Sequence, residues 1–525
     1  MHNQMYLHTR RVLPAALAML LGGLLASGQA AAGTTTSWIT VGDAAFAHLQ
    51  KAAPQLIARE SKLVRTNDGG EKISVTEKVH LVEVDDVQLA SLSAAVHREL
   101  KRCGGFMFHA SEAEGKRALS KTAPLASAML SRPSYVIDNQ AVVPGVLSQM
   151  QASNITTTIN DLASFVNRYY TTTGGTDASN WLRSKWAGMA SGRSDIAVTQ
   201  FTHSGYNQKS VIATITGTDN ASEVIVIGGH LDSINASGTG ETTRAPGADD
   251  DASGIASMTE AFRALIASGY KPRRTIKFIG YAAEEVGLRG SAAIAQNFKS
   301  NNVNVVGSMQ LDMTNYKGSP ADIWIYTDYT DSLQNDFLAK LVAAYQPGLT
   351  VGYSKCGYAC SDHASWYNQG YPASFPFETL DGDDNPYIHT ANDTYANSGN
   401  QAAHALKFAQ LAAAYAIELG SDGPAAADRV ENFSGSLTVG QTKSFGPFKV
   451  ASGGSLRADT TGTGDTDLYV RKSAVPTTST YTCKSDGSTS TETCTVNMTA
   501  NGDVYVLLKG YTAASYSLKV SYKPQ

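Results

Sequence analysis

The chain has 525 residues, which at roughly 150 residues per domain implies several folded units rather than one. Its 42 Lys and Arg against 46 Asp and Glu give a net charge of -4, so no overall basic field exists to hold phosphates, and nucleic acid is not expected as a partner. Hydrophobic residues at 42% can fill several cores, whereas five Cys are too few for a disulfide scaffold.

The chain opens with Arg10-Arg11, the apolar run Val12 to Leu25, and small residues through Ala26, Ala30, Ala31 and Ala32. This is the pattern of a secretory signal peptide over 1–32, with cleavage expected after Ala30 or Ala32. The run is shorter than the roughly 20 residues a bilayer needs, and Pro14, Gly22 and Gly23 interrupt it. No later stretch is apolar enough to span a membrane, so the mature protein is expected to be secreted and extracellular, where disulfides persist.

Residues 33–138 look like a small α+β unit. Ile73, Val75, Val79 and Leu81 mark strand-like segments, and Val87, Leu89, Leu92, Val96 and Leu100 are spaced as one helix face, ended by Gly104-Gly105. The unit shows no cluster of metal ligands, and its lone Cys103 would leave an unpaired thiol in a secreted protein. It reads as a propeptide.

Over 139–422 apolar strands alternate with helices. Asn154 to Trp186 looks helical, with Ile159, Leu162, Phe165 and Val166 at core spacing and Trp181, Leu182 and Trp186 on a second helix. Val224 to Ile227 then reads as a strand, Ile255 to Ile266 as a helix, Thr275 to Ile279 as a strand and Ala292 to Phe298 as a helix. The alternation predicts an α/β domain with a mixed, mostly parallel sheet sandwiched by helices. A linker at 423–430 contains Gly423, Pro424 and three alanines. Beyond it, over 431–525, Leu468/Val470, Val504/Val506/Leu508 and Tyr516/Leu518/Val520 alternate as strands of a small β-sandwich, which Cys483 and Cys494 can staple.

Chemistry concentrates in five segments of the α/β region: GGHLDS around His230 and Asp232, PGADDDASG around Asp249 to Asp251, AAEEVG around Glu284 and Glu285, MQLDM around Asp312, and YIHT around His389. Three of them follow a predicted strand at its carboxyl end, where open α/β sheets build their sites. Two histidines with a surplus of carboxylates suit zinc or a similar divalent ion, and the set differs from the thiolates of structural zinc. A two-metal centre needs a shared carboxylate between the cations, which one Asp of 249–251 can supply. The pair Glu284-Glu285 fits a division between metal ligation and proton transfer. Taken singly, each segment is equally an N-cap, a turn or a charged surface; their order within one region sets them apart.

The segments HLDS, PGADDDASG, AAEEVGLRGS, LDMTNYKGS, CGYACSDHASW and IHT closely resemble secreted bacterial leucyl aminopeptidases, a two-zinc metallopeptidase family, over roughly Gln140 to Leu419. The flanks are similar to that family's N-terminal propeptide and C-terminal prepeptidase-type domain. The resemblance implies a zinc exopeptidase-like fold and two Zn²⁺ per catalytic domain. It assigns Asp250 as bridging ligand, His230 and Asp312 to one zinc, Glu285 and His389 to the other, and Glu284 as general base. Asp232 would orient the His230 imidazole, and the Asp250-Asp251 peptide would be cis. His363 is the rival histidine, expected to cap and pack a helix through Trp366.

Cys356 and Cys360 are close enough in sequence to bridge across a tight turn that fixes local shape rather than adding chain-entropy stabilisation. With Cys103 lost, the remaining Cys form two local pairs. The resemblance places Tyr358, inside that turn, near the scissile carbonyl as an oxyanion donor. Met313, Phe375, Phe377 and Ile388 can line an apolar pocket for a bulky residue such as leucine. The acidic run Asp381-Gly382-Asp383-Asp384 replaces the aromatic residues of relatives and leaves open a preference for basic side chains.

The expected activity is hydrolysis of the N-terminal residue from peptides and proteins with a free N-terminus, by a monomer whose own propeptide acts as inhibitor or chaperone. HExxH, GxSxG and GxxxxGK[ST] motifs are absent from the sequence. The rival enzyme is a two-metal carboxypeptidase or aminoacylase, which would need Arg244 or Arg289 to hold a substrate carboxylate. A non-catalytic binding protein of the same fold would have lost ligands.

Overall fold

The run Val224-Ile225-Val226-Ile227 offers no polar face, and all four residues are buried, as a strand covered on both sides must be. The computed structural model describes residues 36–66, 75–100, 105–120, 133, 135–421, 429–451 and 454–524. The expected signal segment 1–32, the strand-like start at Ile73, Cys103, Gly104 and residues 423–428 of the expected linker lie outside the described residues.

The N-terminal unit contains strands β1 (Thr36–Gly42), β2 (Glu60–Thr66), β3 (Val75–Asp85) and β4 (Phe106–His109), and helices α1 (Asp43–Ala52), α2 (Asp86–Ala95) and α3 (Glu112–Ser120). The strands form an antiparallel sheet in the order β2-β3-β1-β4. A capping box between Asp85 and Gln88 starts α2. The helix then runs into a π-helical turn, Val96–Leu100, where the expected single α-helical face is interrupted. Leu89, Leu92 and Val96 are buried as the spacing predicts, but Val87, in the first turn, is 72% exposed.

The central region begins with α4 (Val143–Leu147), α5 (Ala152–Ala163) and α6 (Thr173–Met189). Strands β5 (Ile196–Phe201), β6 (Ser210–Ile215) and β7 (Asn220–His230) lead to α7 (Ala252–Ala267), β8 (Arg274–Tyr281), α8 (Arg289–Ser300) and β9 (Asn304–Gln310). Then come β10 (Ile323–Tyr326), α9 (Ser332–Tyr345), β11 (Val351–Ser354), α10 (His363–Asn368), β12 (Ala373–Phe377) and α11 (Ala403–Ser421).

The sheet order is β11-β10-β12-β9-β7-β8-β6-β5. Its middle strands β12, β9, β7 and β8 run parallel, and β6 and β5 add antiparallel pairs at one edge. Trp186, Phe262, Phe278 and Phe408 belong to the apolar layer on one side, and Tyr281, Phe298 and Trp366 to that on the other. The mixed, mostly parallel sheet between helices is therefore present. One detail differs: α5 stops at Ala163, so Phe165 and Val166 fall in the following loop, and Val166 is 48% exposed with its carbonyl accepting from Ala245 N.

The C-terminal region holds β13 (Arg429–Leu437), β14 (Thr442–Val450), β15 (Ser455–Thr463), β16 (Thr466–Lys472), β17 (Cys483–Ser485), β18 (Glu492–Asn497), β19 (Gly502–Gly510) and β20 (Ala514–Tyr522). They pair as two antiparallel four-stranded sheets, β13-β20-β15-β18 and β14-β19-β16-β17. Leu468, Val470, Val504, Val506, Leu508, Leu518 and Val520 are fully buried between them, so the period-2 pattern marks the shared inner face. The Cys483–Cys494 disulfide joins strands of the two sheets. Among the described residues no helix is long and apolar enough to cross a membrane.

Candidate metal centre

Three parallel strands deliver the central residues. His230 is the last residue of β7, Glu284 and Glu285 follow the end of β8 at Tyr281, and Asp312 follows the end of β9 at Gln310. Parallel strands placed side by side bring their carboxyl ends to one edge of the sheet, which is why segments remote in sequence meet. Asp249 to Asp251 lie just before α7, and His389 sits on the segment between β12 and α11. Ala283, Met313 and His389 all have positive φ, at 56°, 57° and 56°. Left-handed backbone at non-glycine residues is strained and persists where the surroundings enforce it, and here it recurs beside three of the converging segments.

Asp250 lies between the two histidines. Its Oδ1 is 2.9 Å from His230 Nε2, and its Oδ2 is 2.8 Å from His389 Nε2. His230 Nε2 is also 3.4 Å from Asp312 Oδ1, and His389 Nε2 is 3.4 Å from Glu285 Oε2. All five side chains are buried, none more than 4% exposed. Several atoms facing this space have no hydrogen-bond partner: Glu284 Oε1 and Oε2, Glu285 Oε1 and Asp312 Oδ1. Buried polar atoms left unpaired are costly. A set of imidazole nitrogens and carboxylate oxygens converging in this way can hold a metal ion, which would satisfy the Glu285 and Asp312 oxygens among them.

Comparison with known proteins points the same way. Residues 210–414 match Peptidase family M28, and residues 447–510 match the bacterial pre-peptidase C-terminal domain. A probable leucine aminopeptidase of Trichophyton verrucosum is 36% identical over 287 residues, covering 53% of this chain and 74% of that protein. Leucine aminopeptidase 1 of Fusarium vanettenii is 31% identical over 392 residues, covering 71% of this chain and 96% of that one. The chain belongs to peptidase family M28. Among solved structures, the Legionella pneumophila aminopeptidase LapA is 32% identical with a TM-score of 0.59, covering 74% of this chain and 99% of that chain. LapB of the same organism is 31% identical with a TM-score of 0.60, covering 74% and 100%. The family together with these aminopeptidase relatives makes the chain a metallo-aminopeptidase.

The surroundings of this M28 centre hold the converging groups by backbone hydrogen bonds. Asp251 caps α7 by accepting from Gly254 N at 2.8 Å, and also accepts from Met313 N at 3.0 Å and His230 N at 2.9 Å. Its carboxylate is thereby committed to the backbone, although with His230 and Asp312 it forms another set that could hold a metal. A Cβ on Gly254 would stand 2.3 Å from Leu311 O and 2.4 Å from Asp251 Oδ1, so only glycine permits this approach. The Asp250-Asp251 peptide is cis.

Asp232 differs in detail from its expected role. Its carboxylate accepts from Glu284 N at 2.9 Å and Glu285 N at 3.2 Å, while the nearer oxygen is 3.6 Å from His230 Nδ1, beyond hydrogen-bond reach. The imidazole instead meets the backbone oxygen of Asp232, at 3.1 Å. Asp232 thus orients the histidine through its main chain and the glutamate pair through its side chain.

Three supporting residues were not foreseen. Asp393 accepts from Asp249 N at 3.0 Å and Asp250 N at 3.1 Å. Arg168, 1% exposed, donates to the carbonyls of Leu231, Pro246 and Gly247 and so ties the loop of Asp249 to the end of β7. Ser361 donates to Asp312 Oδ2. None belongs to the five segments, and only contacts between distant loops reveal them.

Burial pushes the carboxyl groups of Glu284 and Glu285 well above their ordinary range, and Asp249 up to about 7. Burial alone would also raise Asp250, but hydrogen bonds from His230 and His389 outweigh it and hold that carboxyl far below. One anion facing two imidazoles among carboxyls reluctant to ionise is a site short of positive charge.

His363 lies in the first turn of α10, buried, and stacks on Phe375 with ring centroids 4.6 Å apart. The N-cap position of α10 belongs to Asp362, and His363 Nε2 instead meets Asp328 O at 3.3 Å, so the packing part of its expected role is present and the capping part is not. Tyr358 is 7% exposed and lines a cavity of about 960 Å³ together with Ile388, His389, Asn235, Asp381 and Asp384. The Cys356–Cys360 bond closes the turn that carries it.

Of the four residues expected to form an apolar pocket, Ile388 lines this cavity. Met313, Phe375 and Phe377 pack behind it with Tyr358, Tyr326 and the disulfide. Arg244 donates to the carbonyls of Phe165 and Ala163, and Arg289 lies over the rings of Phe108, Tyr170 and Tyr206. Neither faces the cavity, so neither is placed to hold a substrate carboxylate.

The same cavity is lined by three residues of the N-terminal unit, His97, Arg98 and Leu100. His97 Nε2 is 3.0 Å from Glu285 Oε2, and its ring meets that of His389 edge-on at 4.1 Å. The unit contributes one residue to a buried set that can hold a metal ion, His97, beside Glu285 and His389 of the M28 region. The sequence could not signal this, because the partners lie 188 positions or more beyond His97.

Proposed function

We propose that this chain is a secreted aminopeptidase that works with two zinc ions and removes a bulky apolar residue such as leucine from peptides and proteins with a free N-terminus. The observation that carries the reading is the placement of Asp250, whose two oxygens face the His230/Asp312 pair and the Glu285/His389 pair separately. Two ligand sets sharing one carboxylate are what a pair of mutually repelling dications requires. In this reading His230 and Asp312 hold one ion, Glu285 and His389 the other, and Asp250 bridges. Zinc held there supplies Lewis acidity, polarising the scissile carbonyl and acidifying the attacking water.

Glu284 serves as the general base. It is fully buried, both its oxygens are unpaired, and Asp232 fixes its backbone. The carboxylate takes a proton from the attacking water and returns one to the leaving amine. Tyr358 offers its hydroxyl to the carbonyl oxygen from the cavity wall. Ile388, backed by Phe375 and Phe377, gives the substrate side chain an apolar wall, and the leucine aminopeptidase names of the relatives support that preference.

The N-terminal unit acts in this reading as an inhibitory propeptide, because His97, Arg98 and Leu100 stand in the cavity a substrate must enter. Secretion is supported by the signal pattern of 1–32 and by the likeness of 447–510 to a pre-peptidase C-terminal domain.

The experiment pairs zinc content with amino-acid release from free and N-acetylated peptides, after removal of the N-terminal unit. Zinc near two per chain, with release from the free peptides only, is expected. Equal release from acetylated peptides, or release from the C-terminus, would overturn the aminopeptidase reading in favour of the carboxypeptidase or aminoacylase alternative.

A further inference from the structure

The contact between His97 and Glu285 is unlike an ordinary buried His–Glu hydrogen bond. His97 Nδ1 lies 2.6 Å from the carbonyl oxygen of Ser93, which can only accept, so Nδ1 carries a proton. In the neutral ring Nε2 is then a bare lone pair, and it points at a carboxylate oxygen 3.0 Å away. Two electron-rich atoms at that distance need a positive centre between them. A proton would serve this pair, yet it would leave Glu285 Oε1 unpaired and offer nothing to His389 Nε2, which lies 3.4 Å from the same Glu285 oxygen. A cation among His97 Nε2, a Glu285 oxygen and His389 Nε2 serves all three residues, whose ligand atoms lie within 4.8 Å of one another. An imidazole that ligates through one nitrogen and donates from the other to a backbone carbonyl is the usual arrangement of a metal-bound histidine.

The rest of the N-terminal unit is built to deliver that ring. Ser93, one turn earlier, donates its hydroxyl to Glu285 O at 3.0 Å. Phe108 N donates to Gly287 O at 3.0 Å, and the Phe108 ring covers Arg289 at 4.6 Å. These contacts grip residues 285, 287 and 289 of the M28 region, and the π-helical turn at Val96–Leu100 holds His97 within the same grip.

We infer that in the uncleaved chain His97 is a ligand of the cation held by Glu285 and His389, so that a metal–nitrogen bond locks the N-terminal unit onto the centre. This rests on the metal-centre reading above and adds the bond that makes the unit inhibitory. The coordination position taken by His97 is one that the incoming peptide needs, so cleavage and departure of the unit would open the site without rebuilding it.

The test uses the uncleaved chain labelled with nitrogen-15 histidine and loaded with cadmium-113 in place of zinc. NMR then counts the histidines whose ring nitrogens couple to the metal. Three coupled histidines are expected, falling to two in His97→Ala and in His97→Gln, which keeps a polar side chain there should the alanine variant fail to fold. Two coupled histidines in the parent chain, or a third that persists in both variants, would overturn the inference while leaving the metal centre standing. No coupled histidine at all would overturn the metal-centre reading and this inference with it.

Discussion

Asp232 accepts the amide N–H of Glu284 on one carboxylate oxygen at 2.9 Å, and that of Glu285 on the other at 3.2 Å. One buried side chain thus sets the direction of both glutamates. Outer groups of this kind typically govern metal affinity or activity by about 10- to 100-fold. Asp232→Ala is expected to lower kcat/KM and zinc affinity together by that order, because the Glu284 and Glu285 amides lose their side-chain acceptor. Steady-state kinetics alongside competition with a zinc chelator check it. A role confined to orienting His230 would spare the proton-transfer step and lower zinc affinity alone.

Glu284 is fully buried with both oxygens unpaired, whereas its neighbour Glu285 stands 3.4 Å from His389 Nε2. The two adjacent carboxylates should therefore fail differently. Glu284→Gln is expected to keep its zinc and lose about 10²- to 10⁴-fold in kcat, the usual worth of a general base. Glu285→Gln should lose metal as well. Zinc content measured beside kcat separates the two, and a substantially active Glu284→Gln would remove that residue from the mechanism.

What could be seen in the chain before folding was whatever has a local cause. Val224 to Ile227 announces a covered strand by lacking a polar face, and Leu468/Val470 announces a sandwich strand by alternation. His230, Glu284, Glu285 and Asp312 were visible as a group because each follows a strand, and parallel strands align their ends. Arg168 and Asp393 were invisible, since their partners are carbonyls and amides of remote loops. His97 was invisible for the same reason, and the apolar spacing around it described an unbroken helix where a π-helical turn intervenes. Asp232 shows a finer limit, because its nearness to His230 in sequence suggested a side-chain contact that the main chain makes instead.

His363 gives the protein an acid sensitivity separate from the metal centre. Burial lowers its pKa to about 3, only partly offset by the Asp328 carbonyl. Its folded-state pKa therefore lies below the unfolded value near 6.5. The neutral ring's stability is fully present above pH 6.5 and is lost as pH falls from there toward 3, by at most about 1.4 kcal/mol per pH unit. Asp362 and Asp328, raised by burial to about 7 and about 6, work in the opposite sense, since their protonation favours the folded state. Comparison with a variant isolates the histidine: His363→Leu should be less acid-sensitive than the parent by roughly 2 to 3 kcal/mol at pH 4.5 relative to pH 7. Urea unfolding at both pH values measures it, and parallel losses in the two proteins would refute the assignment.

The acidic run 381–384 borders the cavity, and its charges bear on whether basic side chains compete with leucine. Asp383 accepts from Ser319 and Asp384 from Thr379, and burial lifts the Asp384 carboxyl to about 6. Asp383 lies off the cavity wall and Asp384, though on it, is held by Thr379 and reluctant to ionise, which leaves Asp381, an exposed residue on the wall, as the main charge facing an incoming side chain. An exposed ion pair is worth about 0.2–1 kcal/mol, or no more than roughly fivefold in kcat/KM. Burying a leucine side chain against Ile388 contributes more, about 1.5–3 kcal/mol when complete. Leucyl substrates should therefore be preferred to lysyl and arginyl ones, and Asp381→Asn should change the leucyl-to-lysyl ratio by less than about fivefold, with the lysyl rate falling. Parallel assays on the three aminoacyl substrates decide this, and a lysyl preference that Asp381→Asn abolishes would make the rim, rather than the apolar wall, the determinant of specificity.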